Sequence, residues 1–350
     1  MSISSKVNGI ASPQFYDQTG RRSPKFLELV LRFLFWKVFA YTLGKSEGWV
    51  GATKWAPVPL KKISWKEFQT VFSTYGDDSL LPADQDLPQI EVLFVVEGKD
   101  FSVLPFAMEN AQRGSRNIIS SFVIVTPAKD LSLAKEIAQT QASALGILVA
   151  VVNEDEVFSE TFRTQLKSRF GNRYGWVLQQ LLTTEMVYRS KSQGVLVIDS
   201  DTVLLHPRVW LTSAGQQTLL VSRERHWSYY EFLSRLNLCQ QSPEKTFVTH
   251  HMLMQPKILR EIFAHIGLED VESLGKLAID AEGLDADSPV CLEYEVYGQG
   301  ISKLFPNLVH FAKFANRGIS RPNDQSKYAF LIQREATSGK FQSISFHTYL

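Results

Sequence analysis

The chain is 350 residues long, with 44% hydrophobic and 21% charged residues, enough for one large buried core with appendages. Its 37 Lys and Arg against 36 Asp and Glu leave a net charge of +1. That balance argues against a nucleic-acid binder, whose phosphate contacts need a basic excess or stripe. Cys239 and Cys291 stand without C-x-x-C spacing, so neither a zinc ribbon nor a disulfide framework is indicated, and a cytoplasmic location is expected.

Residues 1–88 read as an N-terminal extension. Residues 1–14 are polar and lack the apolar run of a signal peptide. Residues 26–43 are rich in Leu, Phe, Trp and Val, but Glu28, Arg32 and Lys37 interrupt them. The segment therefore falls short of the roughly 20 apolar residues of a spanning helix. Glu28 and Arg32 lie one turn apart and form one polar edge, which favours a helix packed on the catalytic domain. With Arg21, Arg22 and Lys25 near its start, a helix peripheral on the inner membrane is the alternative. Ser64 and Glu67 have capping-box spacing at the start of a helix over 64–73, and residues 77–88 form a polar linker.

A different rhythm begins at Ile90. Strands are expected over 90–96, 117–125, 147–152 and 195–198, alternating with helices over 101–113, 131–141, 161–170 and 174–189. The alternation predicts parallel pairing in a doubly wound α/β domain over residues 89–350. Further strands are expected over 218–221, 246–254, 308–313 and 342–346. Helices are expected over 256–266, with Pro256 in the first turn, and over 293–305, interrupted by Gly298 and Gly300. No internal repeat is present.

The most informative stretch is residues 194–205. The apolar run Val195 to Ile198 reads as a strand buried on both faces, and it runs straight into Asp199-Ser200-Asp201. Ligands of open α/β sheets bind at the carboxyl ends of strands. Two carboxylates placed there repel each other unless a cation lies between them, and Mg²⁺ or Mn²⁺ suits oxygen ligands and can also carry phosphate.

Four other places bear on chemistry. Arg173, at the start of the helix over 174–189, can pair with a phosphate, Gln179 and Gln180 can hydrogen-bond to sugar hydroxyls or hold the strand end, and Tyr174 beside them is a candidate for substrate binding. His250 and His251 are adjacent in a predicted strand, so at most one faces a site if that strand is regular. Glu293 and Glu295, with Tyr294 between them, open a helix; either acid can serve as a general base toward an acceptor hydroxyl. The first strand ends at Glu97-Gly98-Lys99-Asp100, which is no G-x-G-x-x-G fingerprint.

The acid pair at its strand end resembles the Asp-X-Asp motif of nucleotide-sugar glycosyltransferases with the GT-A fold. Arg173-Tyr174-Gly175-Trp176-Val177-Leu178-Gln179-Gln180, His250-His251-Met252 and Glu293-Tyr294-Glu295-Val296-Tyr297-Gly298 follow in an order similar to an uncharacterised family of bacterial proteins regarded as GT-A-like glycosyltransferases. The resemblance covers residues 90–350 and implies a GT-A-like, Rossmann-like mixed sheet flanked by helices. It also implies a sugar-transfer activity of the hexosyltransferase type, without donor, acceptor or stereochemistry; a UDP- or GDP-sugar donor is expected, and a glycan or lipid-linked acceptor of cell-surface polysaccharide synthesis would suit a peripheral membrane helix. On that reading Asp199, Asp201 and His347 hold Mn²⁺ or Mg²⁺, and Lys99 and Asp100 meet the nucleoside. Arg173, Tyr174, Gln179, His250, His251 and Tyr294 contact substrate, and Glu293 or Glu295 removes the acceptor proton. The alternatives are a sugar nucleotidyltransferase, whose Gly-rich basic loop is lacking after the first strand, a non-catalytic carbohydrate-binding protein, and an Asp-X-Asp phosphatase, whose nucleophile stands nearer the chain start.

Overall fold

The computed structural model describes residues 81, 86–222, 224, 226–240, 243–281, 290 and 292–348. The expected extension over 1–88, with its helices at 26–43 and 64–73, lies outside the described residues except for 81 and 86–88.

From Ile90 the chain forms β1 (Ile90–Val95), α1 (Leu104–Arg113), β2 (Ile119–Thr126), α2 (Leu131–Leu145) and β3 (Leu148–Asn153). Two helices follow, α3 (Glu160–Phe170) and α4 (Tyr174–Arg189), and then β4 (Val195–Ile198). Local signals account for several of these boundaries. The Ser159 hydroxyl accepts from the Phe162 amide at the start of α3. Gly146 ends α2 at φ 66°, a left-handed conformation that costs glycine nothing.

The central sheet runs β3-β2-β1-β4-β7, where β7 is His251–Met254. The first four strands are parallel, and β7 is antiparallel to β4, so the sheet is mixed. Along β1 and β4 alternate side chains go to opposite faces. Val92, Phe94, Leu196 and Ile198 pack with Ala107, Met108, Ala134 and Ala138 of α1 and α2. Leu93, Val195 and Val197 pack with Phe162, Leu178 and Leu181 of α3 and α4. With both faces covered, strand ends are the part of this sheet left open to a ligand.

The second half adds β5 (Thr202–Leu204), β6 (Gln217–Val221), α5 (Trp227–Arg235), α6 (Pro256–His265), α7 (Val271–Asp280) and α8 (Tyr294–Leu304). It closes with β8 (Val309–Lys313), β9 (Asn316–Ser320), α9 (Ser326–Ser338) and β10 (Ser343–His347). A small sheet has the order β5-β10-β9, and β6 pairs with β8. Here the structure departs from the sequence reading. The strand expected over 246–254 is regular only from His251: Thr246 makes an isolated antiparallel bridge to Ser222, and the Phe247 amide donates to the Glu295 carboxylate instead of a ladder. Gly298 and Gly300 do not interrupt α8. A Cβ at Gly298 would stand 2.4 Å from the Phe247 ring, and one at Gly300 2.7 Å from Ile262, so both are points of close packing. Helices α5, α7 and α9 and strand β9 were not expected from the sequence. Among the described residues no helix is long and apolar enough to cross a membrane.

Candidate active site

Two strand registers position the acid pair. In the β4–β7 ladder Ile198 faces His251, so Asp199 meets His250 one step further on. The Asp199 amide donates to the His250 carbonyl at 2.9 Å, and its carboxylate Oδ2 lies 2.9 Å from His250 Nδ1. In the β5–β10 ladder Thr202 faces Ser345, which brings Asp201 against the end of β10. The Phe346 amide donates to the Asp201 carbonyl at 2.8 Å, and Asp201 Oδ2 lies 3.1 Å from His347 Nδ1. Ser200, between the acids, donates to Asp100 Oδ2 at 2.7 Å. Asp100 is paired in turn with Arg321 at 2.5 Å, and Arg321 also donates to the Lys99 carbonyl. The turn is thus tied to β7, to β10 and to the end of β1.

These groups border a cavity of about 600 Å³. Asp199, Asp201, His250, His347 and Glu293 stand at one end, and Tyr174, Trp176, Gln179 and Gln180 of α4 form a wall. Lys99 and Asp100 line it below, and Glu97, Lys129 and Glu154 border it at the ends of β1, β2 and β3.

The electrostatics follow from burial and pairing. Burial pushes the Asp199 carboxyl up, against hydrogen bonds from His250 and Tyr294. At Asp201 burial also acts upward, but the His347 hydrogen bond and the charges of His250 and His347 outweigh it, so its carboxyl lies below the ordinary value. Burial would depress His250, yet its bond to Asp199 and the charges of Asp199, Asp201 and Glu224 raise it to about 8. Glu293 is pushed up to about 8 by burial and by the Asp199 charge, against a hydrogen bond from Thr183.

The donor chemistry fits a divalent cation: two carboxylates and an imidazole meet at one strand end. Asp199, Asp201 and His347 are the residues that would hold it. The shell is not preassembled, since among the described residues no three His, Cys, Asp or Glu side chains form a group that could hold a metal ion. The two imidazoles hydrogen-bond to the two carboxylates instead.

The remaining predicted residues divide. Tyr294 does not border the cavity but donates its hydroxyl to Asp199 Oδ1 at 2.8 Å. Gln180 reaches back to hold the entry to α8, accepting from the Leu292 amide at 2.7 Å. Arg173 stands over the Trp176 ring at 5.9 Å, behind the wall. His251 lies on the opposite face of β7 from the cavity, edge-on to Trp210 at 5.6 Å, and is held well below the ordinary imidazole value by burial and Arg208. Glu295 is fully buried away from the cavity. Its carboxylate accepts from Thr246, Phe247, Tyr230 and Gln299, which makes it a tie between α5, α8 and the 246–247 segment. Of the two acids weighed as a base, the one bordering the cavity is Glu293.

Several residues were missed. Arg321 comes from a loop with no sequence signal. Glu224 and His226, paired at 2.7 Å, lie close enough to His250 and His347 for those charges to act on Glu224. Glu154 follows an apolar strand, as Asp199 does, and the same strand-end rule would have found it.

The sequence pattern of a family of unknown function, DUF6492, matches residues 111–275. No curated protein matches the chain in sequence. Among solved structures it is similar to the bifunctional glycosyltransferase WbbM, with 12% identity and a TM-score of 0.40 over 78% of this chain. The chain spans about half (48%) of that protein's length. It is also similar to the galactosyltransferase LgtC, solved with donor and acceptor sugar analogues (12% identity, TM-score 0.41, 74% of this chain and 87% of that one). A third similar structure is the mannosyltransferase Ktr4p of S. cerevisiae (7% identity, TM-score 0.45, 70% of this chain and 76% of that one). At such scores the functional reading rests on the site itself.

Proposed function

We propose that the chain is a metal-dependent glycosyltransferase that moves a sugar from a nucleoside-diphosphate donor to a hydroxyl acceptor. The observation that carries this reading is the convergence of Asp199, Asp201, His347 and Glu293 on one cavity at the strand ends. A divalent ion bound by Asp199, Asp201 and His347 would supply Lewis-acid stabilisation of the leaving diphosphate. The chain's own groups do the rest. Asp100, Ser200 and Arg321 hold the acid turn in place. Gln179 and Trp176 on α4 offer the sugar an amide and an aromatic face. Glu293, once ionised, accepts the proton of the acceptor hydroxyl as it attacks, if the transfer inverts the anomeric centre. The acceptor we favour is a glycan or lipid-linked glycan of the cell surface. Peripheral membrane contact through residues 26–43, which lie outside the described residues, would suit such a substrate.

The test is a thermal-shift screen of UDP-, GDP-, ADP- and CMP-sugars, with and without Mn²⁺, on the native protein and on Asp201→Ala. A metal-dependent rise in Tm with one nucleotide, lost in the variant, is expected. An unchanged response in Asp201→Ala sinks the assignment, and sugar binding without any nucleotide response favours a carbohydrate-binding protein.

A further inference from the structure

The far end of the cavity carries a second set of groups that the transfer reaction itself leaves unused. β4, β1, β2 and β3 lie side by side in that order, so the cavity runs from the acid turn past Lys99 and Lys129 to Glu154. Three strand spacings of about 4.8 Å separate the two ends by roughly 14 Å. A nucleoside diphosphate whose phosphates lie at Asp199 and Asp201 therefore directs its base toward Glu154.

Glu154 is placed for recognition. Its carboxylate borders the cavity and takes no hydrogen bond among the described residues. Burial and the charges of Asp155 and Glu97 raise it to about 7 against the charges of Arg163 and Lys129, so a ligand that presents two N–H donors draws it to the ionised form. Beside it stands Tyr174, whose phenol feels the Glu154 charge and whose ring forms the wall. Lys129, also bordering the cavity, lies 3.2 Å from Glu97 and acts electrostatically on Glu154.

Resting on the glycosyltransferase reading above, we infer that this end selects guanine, so that the donor is a GDP-sugar. A carboxylate has acceptors only, and its two oxygens match two N–H donors on one edge. Guanine alone among the common bases presents that pair, N1–H and the N2 amino group, with O6 next to them to accept from the Lys129 ammonium. Uracil offers one N3–H between two carbonyls, and the second carbonyl would face a carboxylate oxygen. Adenine and cytosine offer one amino group beside a ring-nitrogen acceptor. A lone pair turned against the half-buried Glu154 carboxylate leaves both unpaired.

The experiment is isothermal titration of the full chain with GDP, IDP, UDP, ADP and CDP in the presence of Mn²⁺, repeated on Glu154→Ala, Glu154→Gln and Asp201→Ala. GDP should bind ~10-fold or more tightly than UDP, ADP or CDP. IDP, which lacks the N2 amino group, should bind several-fold more weakly than GDP to the native protein, a comparison that needs no variant to fold. Glu154→Ala and Glu154→Gln should flatten the ranking, and Asp201→Ala should weaken every nucleotide alike. Tight, Asp201-dependent binding of UDP, ADP or CDP in preference to GDP would overturn the guanine assignment and leave the transferase reading standing. Equal binding of GDP and IDP, or a GDP preference that survives in Glu154→Ala, would overturn the role of Glu154. Failure of all five nucleotides to bind would overturn the transferase reading and this inference with it.

Discussion

Replacing Glu293 by Gln tests the base assignment through stability as well as activity. The carboxyl lies at about 8 in the folded chain against an ordinary 4.5. At about 1.4 kcal/mol per tenfold change in proton affinity, the ceiling on this effect is ~5 kcal/mol. Relaxation and water entry bring the expected effect to on the order of 2–3 kcal/mol. The sign is set by which state keeps the proton. Below pH 4.5 both states are protonated and Glu293 has no effect. Between 4.5 and about 8 the unfolded chain loses the proton while the folded chain keeps it, so stability falls as pH rises. Above about 8 both are ionised and the full penalty stands. Gln keeps an acceptor for Thr183 and carries no charge. In urea unfolding the variant should match the native protein near pH 5 and exceed it by ~2–3 kcal/mol at pH 9. The same variant should lose sugar transfer, and native kcat/KM should climb with pH toward about 8 as Glu293 ionises. Stability curves that run parallel from pH 5 to pH 9 would show that Glu293 titrates in the ordinary range and that its surroundings do not hold the proton on it.

Two further outcomes separate structural groups from the site. Glu295→Ala removes one acceptor from four donors in the core and should cost ~3 kcal/mol or more in urea unfolding at every pH from 6 to 9, in contrast to Glu293→Gln. Gly298→Ala forces a Cβ against the Phe247 ring and should lower stability by roughly 1–3 kcal/mol, whereas a break in α8 at that position would make Ala stabilising.

Much of the first half was legible because its signals are local. Strand β4 and helix α4 fall where the apolar runs and periodicity put them, and β1, β2, β3, α1, α2 and α3 shift only at their ends. The second half was less legible for equally physical reasons. Glu295 and Glu293 are two residues apart and chemically identical, and nothing in their local sequence says which of them four core donors will claim. The 246–250 segment has strand-like residues, but its Phe247 amide is taken by the Glu295 carboxylate, 48 residues away in the sequence. Helices α5, α7 and α9 span 9, 10 and 13 residues and carry amphipathic periodicity of their own, so they were legible in the sequence although not expected from it.

The sequence by itself determined that an α/β unit carries two carboxylates at the end of a buried strand, because strand burial and the placement of polar groups at strand ends are written in consecutive residues. It could not decide their company. His250 and His347 reach Asp199 and Asp201 through two separate ladders, one antiparallel to β4 and one to β5. Which side of each strand a histidine occupies depends on register, and a slip of one residue would turn it to the other face. Which of Glu293 and Glu295 borders the cavity, the tie from Arg321 through Asp100 to Ser200, and the place of Glu154 in the cavity lining were likewise decided only by packing between distant elements.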